Sequence, residues 1–376
     1  MVKPELTEAE KAERRARNAA KRAERSAKAA QAGARERAGR SDAPEPEARR
    51  DFNILAVVQA GPLEAQALLF AASLRANSPG WGGRLVLAEP RPEGKWAGHA
   101  TLIGDQTRAL LTEMGAEITP FTAAHFGADY PQGNKIEALS LLPQGEPFVF
   151  FDTDTLFLGP LDQVAFDFAR PSASMRREGT WPDPPLYGPG YGAIWRGLYE
   201  RFGLDYESSL DRRQPDEHWE RYLYFNAGWF FGADPAVFGA RMLDYALSIR
   251  DAPGEALASQ QLYPWLDQIV LPLVIHSLGG GRPGRDLAGL DGEVSCHYRN
   301  LPLLYARESD RAIEVLEEIA AQQAIKQQLR GHEAAAKLIY QGKGREKIRA
   351  LFDQNHLPSR EAELRREIRR AGWWLT

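Results

Sequence analysis

Pro147-Phe-Val-Phe-Phe-Asp-Thr-Asp-Thr-Leu-Phe-Leu-Gly159 decides the fold. It begins as an unbroken apolar and aromatic run, the composition of a strand buried on both faces. With no turn residue between, it then delivers Asp152 and Asp154. Strand alternation sends residues i and i+2 to the same side, so both carboxylates face one spot at the strand's exit. Two desolvated carboxylates that close repel each other unless a cation or a proton sits between them. Mg²⁺ and Mn²⁺ suit such a pair, because one or two carboxylates hold them while substrate phosphates fill other positions. The local alternative has Asp152 closing the strand through an Asx turn, with Asp154 solvated. The buried strand before the pair and Leu156-Phe-Leu-Gly-Pro160 after it favour the site reading.

The rest of the chain bounds what that site serves. Its 376 residues make one large domain or two ordinary ones, and 43% hydrophobic residues suffice for a sizeable core. Nine tryptophans and twelve tyrosines exceed what packing alone demands, and aromatics also line sugar and nucleobase sites. Residues 1–50 carry 14 Lys/Arg against 9 Asp/Glu, net +5, so the remainder holds −9 of the overall −4. A core that acidic is a poor grip for nucleic acid, and no nucleic-acid partner is expected. The single cysteine, Cys296, closes no intrachain disulfide. No apolar run reaches the roughly 18–20 residues of a membrane span, and the N-terminus lacks the apolar segment of a signal peptide. A cytoplasmic protein is expected.

Outward from the central strand, the order of elements is regular. Residues 1–50 offer no large apolar side chain beyond Met1, Val2 and Leu6, and read as a disordered or solitary-helix charged tail. Phe52–Val58 is a buried strand, and Glu64–Asn77 has helical spacing of Leu68, Leu69, Ala72 and Leu74. Strands at Arg84–Ala88 and Glu117–Phe121, with helices at Gln106–Met114 and Asn134–Leu142, complete the run into 147–151. Strands alternating with helices argue for an α/β fold with a mostly parallel sheet, whose ligands bind beyond the carboxyl ends of the strands.

After Asp154 the grammar changes. Residues 170–220, rich in Pro, Gly, Trp and Tyr, read as a long irregular segment covering a site. Tyr224–Gly232 returns to strand character, with Asn226 and Gly228 marking a bulge or a close backbone approach to a ligand. Pro235–Ile249 and Trp265–His276 are helices, the second bent or restarted by Pro272. Val294–Tyr298 is a short strand holding His297, and the chain is helical and charged from about Glu308 onward.

Asn134-Lys135 with its helix, Phe151-Asp-Thr-Asp-Thr155, Phe225-Asn-Ala-Gly228, Asp267-Gln268 and His297, in that order, resemble the metal-dependent nucleotide-sugar glycosyltransferases of GT-A fold. Within them the resemblance is to the glycogenin-like and lipopolysaccharide-galactosyltransferase-like group, over about 52–305. It implies a single GT-A-like, Rossmann-like domain at 51–306 with a helical C-terminal extension at 307–376. It also implies a hexosyltransferase-like enzyme that retains anomeric configuration. The implied partners are a nucleotide-sugar donor, UDP-sugar favoured, and a saccharide, lipid-linked or other hydroxyl acceptor. The implied cofactor is Mn²⁺ or Mg²⁺ on Asp152, Asp154 and His297. Lys135 would lie near the donor, and Asn226, Asp267 and Gln268 near the transferred sugar. In the glycogenin-like group the late histidine opens a His-x-x-Gly-x-x-Lys pattern, whereas His297 is followed by Tyr298-Arg-Asn-Leu-Pro302.

Two histidines compete for the metal. Asp267 and His276, nine residues apart at 100° per residue, fall on opposite helix faces, so His276 is expected to pack or hydrogen-bond at the helix end. His297, ending a strand beside loops, has the better address. Arg299 next to it pairs with a donor phosphate or with a carboxylate. Asp267 is either the base that takes the acceptor proton or a group that orients sugar hydroxyls. Two other classes compete: a nucleotidyltransferase, for which Gln59-Ala-Gly-Pro-Leu-Glu64 lacks glycines and a basic residue, and a non-catalytic binding relative.

Overall fold

The computed structural model describes residues 52–176 and 180–375, so the charged tail expected at 1–50 lies outside the described residues. Strands and helices alternate through the first half. They are β1 (Asn53–Val57), α1 (Pro62–Asn77), β2 (Leu85–Pro90), α2 (Asp105–Glu113), β3 (Ala116–Phe121), α3 (Asn134–Glu137) and β4 (Phe148–Phe151). Then come β5 (Thr155–Phe157), β6 (Ala173–Ser174), α4 (Tyr191–Arg201), β7 (Asn226–Gly232), α5 (Pro235–Asp251), α6 (Leu266–Ser277) and β8 (Ser295–His297). Among the C-terminal helices are α7 (Leu301–Arg307), α8 (Asp310–Ala321) and α9 (Glu361–Arg370). No helix among the described residues is long and apolar enough to cross a membrane.

The unbroken apolar run at 148–151 is a strand covered on both faces. Phe148 and Phe150 enter one core with Leu55, Val86 and Phe230. Val149 and Phe151 enter the other with Ile54, Leu85 and Phe70. The sheet runs β3-β2-β1-β4-β7-β6. Its first four strands are parallel, and β7 and β6 are antiparallel additions. Strand order reverses at β1, which has β2 on one side and β4 on the other. The crevice beyond the carboxyl ends of β1 and β4 is therefore a topological switch point, where open α/β sheets bind ligands.

Helix α1 is buried continuously from Ala67 to Leu74, as a helix must be when both sides are covered. Leu68, Phe70 and Leu74 face the sheet. Leu69 and Ala72 enter a third core with Leu156, Ile313 and Leu316, and with Leu364 and Ile368 of α9. The segment 170–220 is less irregular than its composition suggests. It contains α4, whose Ile194, Trp195, Leu198 and Tyr199 are buried. The i, i+1, i+4, i+5 spacing of these four is helical, but it is flanked by proline and glycine that mask it. In the flank that precedes it, Leu186 and Tyr187 remain open to solvent.

Buried ion pairs fasten the C-terminal helices. Glu308 takes Arg176 at 2.8 Å and Arg307 at 2.9 Å, and Arg307 reaches Glu361 at 2.8 Å. Burial alone would raise the pKa of Glu308, but Arg176 and Arg307 outweigh it and hold it below its ordinary value. Glu361 is likewise held low, with Arg307, Arg299 and Arg365 overcoming burial. A carboxylate with a depressed folded pKa contributes stability that is full above its unfolded value, about 4.3 for Glu, and lost as pH falls through the folded one. Thermal melts should therefore hold near neutrality and decline below about pH 4.3, with Glu308→Gln flattening that acid slope. An acid slope identical in Glu308→Gln would show that Glu308 does not titrate with folding.

Candidate active site

The carboxylate pair leaves the sheet at its centre. Asp152 follows β4 directly, and its amide donates to the Gly228 carbonyl of β7 at 2.9 Å. Three residues on, the chain enters β5, which pairs antiparallel with β8 in a separate two-stranded sheet. The register sets Thr155 opposite His297, and the Tyr298 amide donates to the Asp154 carbonyl at 2.9 Å. This small sheet carries His297 across about 140 residues of chain to the Asp pair. His297 Nε2 stands 3.1 Å from Asp154 Oδ1 and 3.9 Å from Asp152 Oδ2.

One ligand atom from each of Asp152, Asp154 and His297 lies within 4.8 Å of the others. Atoms sharing an ion through bonds of about 2.1 Å stand about 3–4 Å apart, so the set fits one small divalent cation. Two carboxylate oxygens and an imidazole nitrogen are a donor set for a divalent cation.

Gly228 owes its identity to this arrangement. A Cβ there would lie 2.1 Å from His297 Nδ1. The close approach expected at Asn226-Ala-Gly228 is thus made by the imidazole ring. The Asn226 side chain is engaged with backbone, its Oδ1 accepting from the Gly228 amide at 2.8 Å and its Nδ2 donating to the Arg176 carbonyl at 2.9 Å.

Lys135 sits behind the pair, on α3 and buried. Its ammonium is 2.9 Å from Asp152 Oδ1, 3.3 Å from Asp267 Oδ2 and 3.3 Å from the Ala227 carbonyl, over the Phe150 ring. Burial alone would lower its pKa, but Asp152 and Asp267 outweigh it and hold the ammonium above its ordinary value. Burial raises the pKa of Asp152, Lys135 pulls it back, and Asp154 pushes it up again, leaving it above the ordinary value. The two oxygens of Asp152 divide: Oδ1 to Lys135, Oδ2 toward His297.

Asp267 lies in the first turn of α6, buried, with Tyr130 as its second partner. The tyrosine hydroxyl donates to Asp267 Oδ1 at 2.7 Å and accepts from the Asp267 amide at 2.9 Å. Tyr130 has no periodic signal in the sequence; its place in Tyr-Pro just ahead of Asn134-Lys135 is the only hint. Gln268 Oε1 accepts from the Tyr224 hydroxyl at 2.9 Å. A cleft of ≈ 330 Å³ opens on this group, lined by Val57, Gln59, Leu63, Pro131, Gln132, Asn134, Lys135, Asp152, Thr153 and Asp154. Gln132 Oε1 and Thr153 Oγ1 are buried polar atoms with no hydrogen-bond partner. Of these lining residues the sequence reading found only Asn134, Lys135 and the two aspartates.

The remaining candidates lie elsewhere. His276 packs on the Tyr199 ring, with Nε2 3.3 Å from Ser208 Oγ at the end of α6. Arg299 Nε is directed to Glu361 Oε2 at 3.8 Å, the carboxylate option of the sequence reading.

A mostly parallel sheet with two carboxylates and an imidazole converging at its switch point is the arrangement of a GT-A glycosyltransferase. The chain belongs to the family described as the Rhodobacterales glycosyltransferase domain, whose family model matches residues 54–279. No curated protein matches the chain significantly. Among solved structures it is similar to the galactosyltransferase LgtC in complex with donor and acceptor sugar analogs. That match has 14% identity and a TM-score of 0.44, covering 74% of this chain and 99% of that one. Another is the glycosyltransferase GlyE of Streptococcus pneumoniae TIGR4, with 12% identity and a TM-score of 0.40, covering 74% of this chain and 64% of that one. The WbbM bifunctional glycosyltransferase is a third, with 13% identity and a TM-score of 0.42, covering 76% of this chain and 53% of that one.

Gly228→Ala tests the seating of the histidine. The added methyl should displace the ring, weaken Mn²⁺ binding about tenfold or more and cost about 1–3 kcal/mol of stability through overpacking. Unchanged Mn²⁺ affinity in a titration followed by electron paramagnetic resonance would show that the ring's position does not matter.

Proposed function

We propose that the chain transfers a hexosyl group from a nucleoside diphosphate donor, UDP-sugar favoured, to a hydroxyl of a saccharide, lipid-linked or other acceptor, with Mn²⁺ or Mg²⁺ as its cofactor. The observation that carries this reading is the charge balance of the site. Asp152, Asp154 and Asp267 set three carboxylates against the single ammonium of Lys135, a deficit of two positive charges that a divalent cation fills. The retained configuration and the cytoplasmic setting expected from the sequence belong to the same proposal. So do the boundaries: a tail at 1–50, a transferase domain at 51–306 and a helical extension at 307–376.

Asp152, Asp154 and His297 are the groups that would hold the cation. When bound, it stabilises the negative charge gathering on the departing diphosphate. The acceptor oxygen forms the new bond to the anomeric carbon as the old carbon–oxygen bond breaks, its electron pair leaving with the nucleoside diphosphate, and the acceptor's hydroxyl proton passes to the departing diphosphate oxygen. Lys135 orients Asp152 and lends positive charge to the leaving-group side. Asp267 has Lys135 on one oxygen and Tyr130 on the other, which makes it a positioning residue for that ammonium. Gln268, with Oε1 on Tyr224, offers its Nε2 to sugar hydroxyls. Asn226, bound to backbone on both ends of its amide, supports β7 beneath His297. Gln132 and Thr153, with unmatched polar atoms in the cleft, are the groups we add to the donor site.

Asp152→Asn and Asp154→Asn should each reduce transfer from a panel of nucleotide sugars by about 10²–10³-fold or more. Asp154→Asn should keep a melting temperature near that of the unsubstituted chain, while Asp152→Asn, which takes a partner from the buried Lys135 ammonium, should lower it. Turnover at the unsubstituted rate with saturating Mn²⁺ would contradict the proposal.

The histidines separate by a different measurement. His297→Ala should weaken Mn²⁺-supported donor binding, with part of the loss recovered in excess metal by mass action. His276→Ala should leave that binding alone and lower stability by about 1–3 kcal/mol. Equal donor affinity in both, measured by calorimetry across Mn²⁺ concentrations, would remove His297 from the metal set.

A further inference from the structure

His297 is held by a turn for which the sequence supplies no glycine. Arg299 adopts φ 67°, and the Asn300 amide donates to the Tyr298 carbonyl at 2.8 Å. A bond spanning one residue marks a γ-turn, and its positive-φ form is the rare, strained one. A non-glycine residue keeps such a conformation only where its surroundings over-determine it.

Those surroundings lie on both sides of the turn. Before it, His297 pairs across to Thr155 and Tyr298 is fully buried. After it, Asn300 Oδ1 accepts from the Leu303 amide at 3.0 Å and caps α7. The guanidinium of the turn residue lies 3.8 Å from Glu361, a charge contact with a buried carboxylate on α9 that also pairs with Arg307 and Arg365. Arg307 reaches Glu308, Glu308 reaches Arg176, and the Arg176 carbonyl receives Asn226, whose Oδ1 takes the Gly228 amide under the His297 ring. Of these contacts, the one to Arg299 is the one that acts on the turn seating His297. The family match ends at residue 279, so the turn, the histidine and Glu361 all belong to the part of the chain beyond it.

We propose that Glu361 is a positioning residue for the metal site: by holding Arg299 in its strained turn, it keeps the His297 imidazole over the Asp152–Asp154 pair. The inference rests on the metal reading of that cluster. It gives the last helix a part in the chemistry, although no residue of α9 belongs to the cluster itself. The competing account is that the buried ion pairs merely fasten α9 to the rest of the protein. The two differ in what glycine at 299 should do, because glycine adopts positive φ without strain and leaves nothing for Glu361 to hold.

The test uses the full chain and Mn²⁺ alone, with free Mn²⁺ read by electron paramagnetic resonance and a thermal melt beside each variant. Glu361→Gln should weaken Mn²⁺ binding about tenfold or more, in the range of a lost outer partner of a ligand. Arg299→Gly should stay within about threefold of the unsubstituted chain, and Arg299→Gly with Glu361→Gln should resemble Arg299→Gly alone, the non-additivity of coupled residues. Arg299→Ala, which removes the guanidinium but retains a Cβ, should lose affinity as Glu361→Gln does. It also answers the question if Glu361→Gln fails to fold. A lower melting point with unchanged Mn²⁺ affinity in Glu361→Gln, or a double variant as weak as Glu361→Gln, would overturn the inference. Binding by the unsubstituted chain that survives Asp152→Asn would overturn the metal reading instead.

Discussion

The Lys135 ammonium, buried between Asp152 and Asp267, is the interaction on which the rest of the site depends. It joins α3, the exit of β4 and the start of α6, and through the Ala227 carbonyl it also touches β7. A buried charge is tolerated only with partners of good geometry, and removing one member of such a set costs about 3–5 kcal/mol. Here the set is over-supplied with carboxylate. Lys135 satisfies Asp267 and one oxygen of Asp152, and the other oxygen of Asp152 turns outward beside Asp154 and His297. The same contact that stabilises the junction of four elements thereby leaves a surplus of negative charge at the sheet's switch point.

How that surplus is displayed follows from topology. β4 has both faces covered, so it ends in the crevice with its last side chains already fixed in direction. β5 leaves the main sheet and pairs with β8 instead, which brings a histidine from far along the chain to the two aspartates. Gly228 makes room for it. Each piece is ordinary; their coincidence at one sheet edge makes a site.

Much of this was legible in the sequence, and the reasons differ by residue. The apolar run before Asp152 announced a doubly covered strand, because only such a strand dispenses with alternation. Asn226 and Gly228 announced a close approach, but which group approaches is a tertiary fact, and it is the His297 ring. The helix at 191–201 was hidden by proline and glycine on either side of a short apolar face. Tyr130 and Glu361 were out of reach for a common reason. A buried polar residue is defined by its partners, and distant ones lie 137 residues from Tyr130, at Asp267, and 62 residues from Glu361, at Arg299. The charged helices after residue 308 have the composition of a solvated surface, yet Glu308 and Glu361 are buried. Charge composition alone cannot separate the two.

The most direct test of this account is anomalous diffraction at the manganese edge from crystals grown with MnCl₂ and UDP. The account predicts one strong peak bonded jointly by Asp152, Asp154 and His297, with the Lys135 ammonium still between Asp152 and Asp267. A peak bonded by other residues, or none at this edge of the sheet, would contradict it.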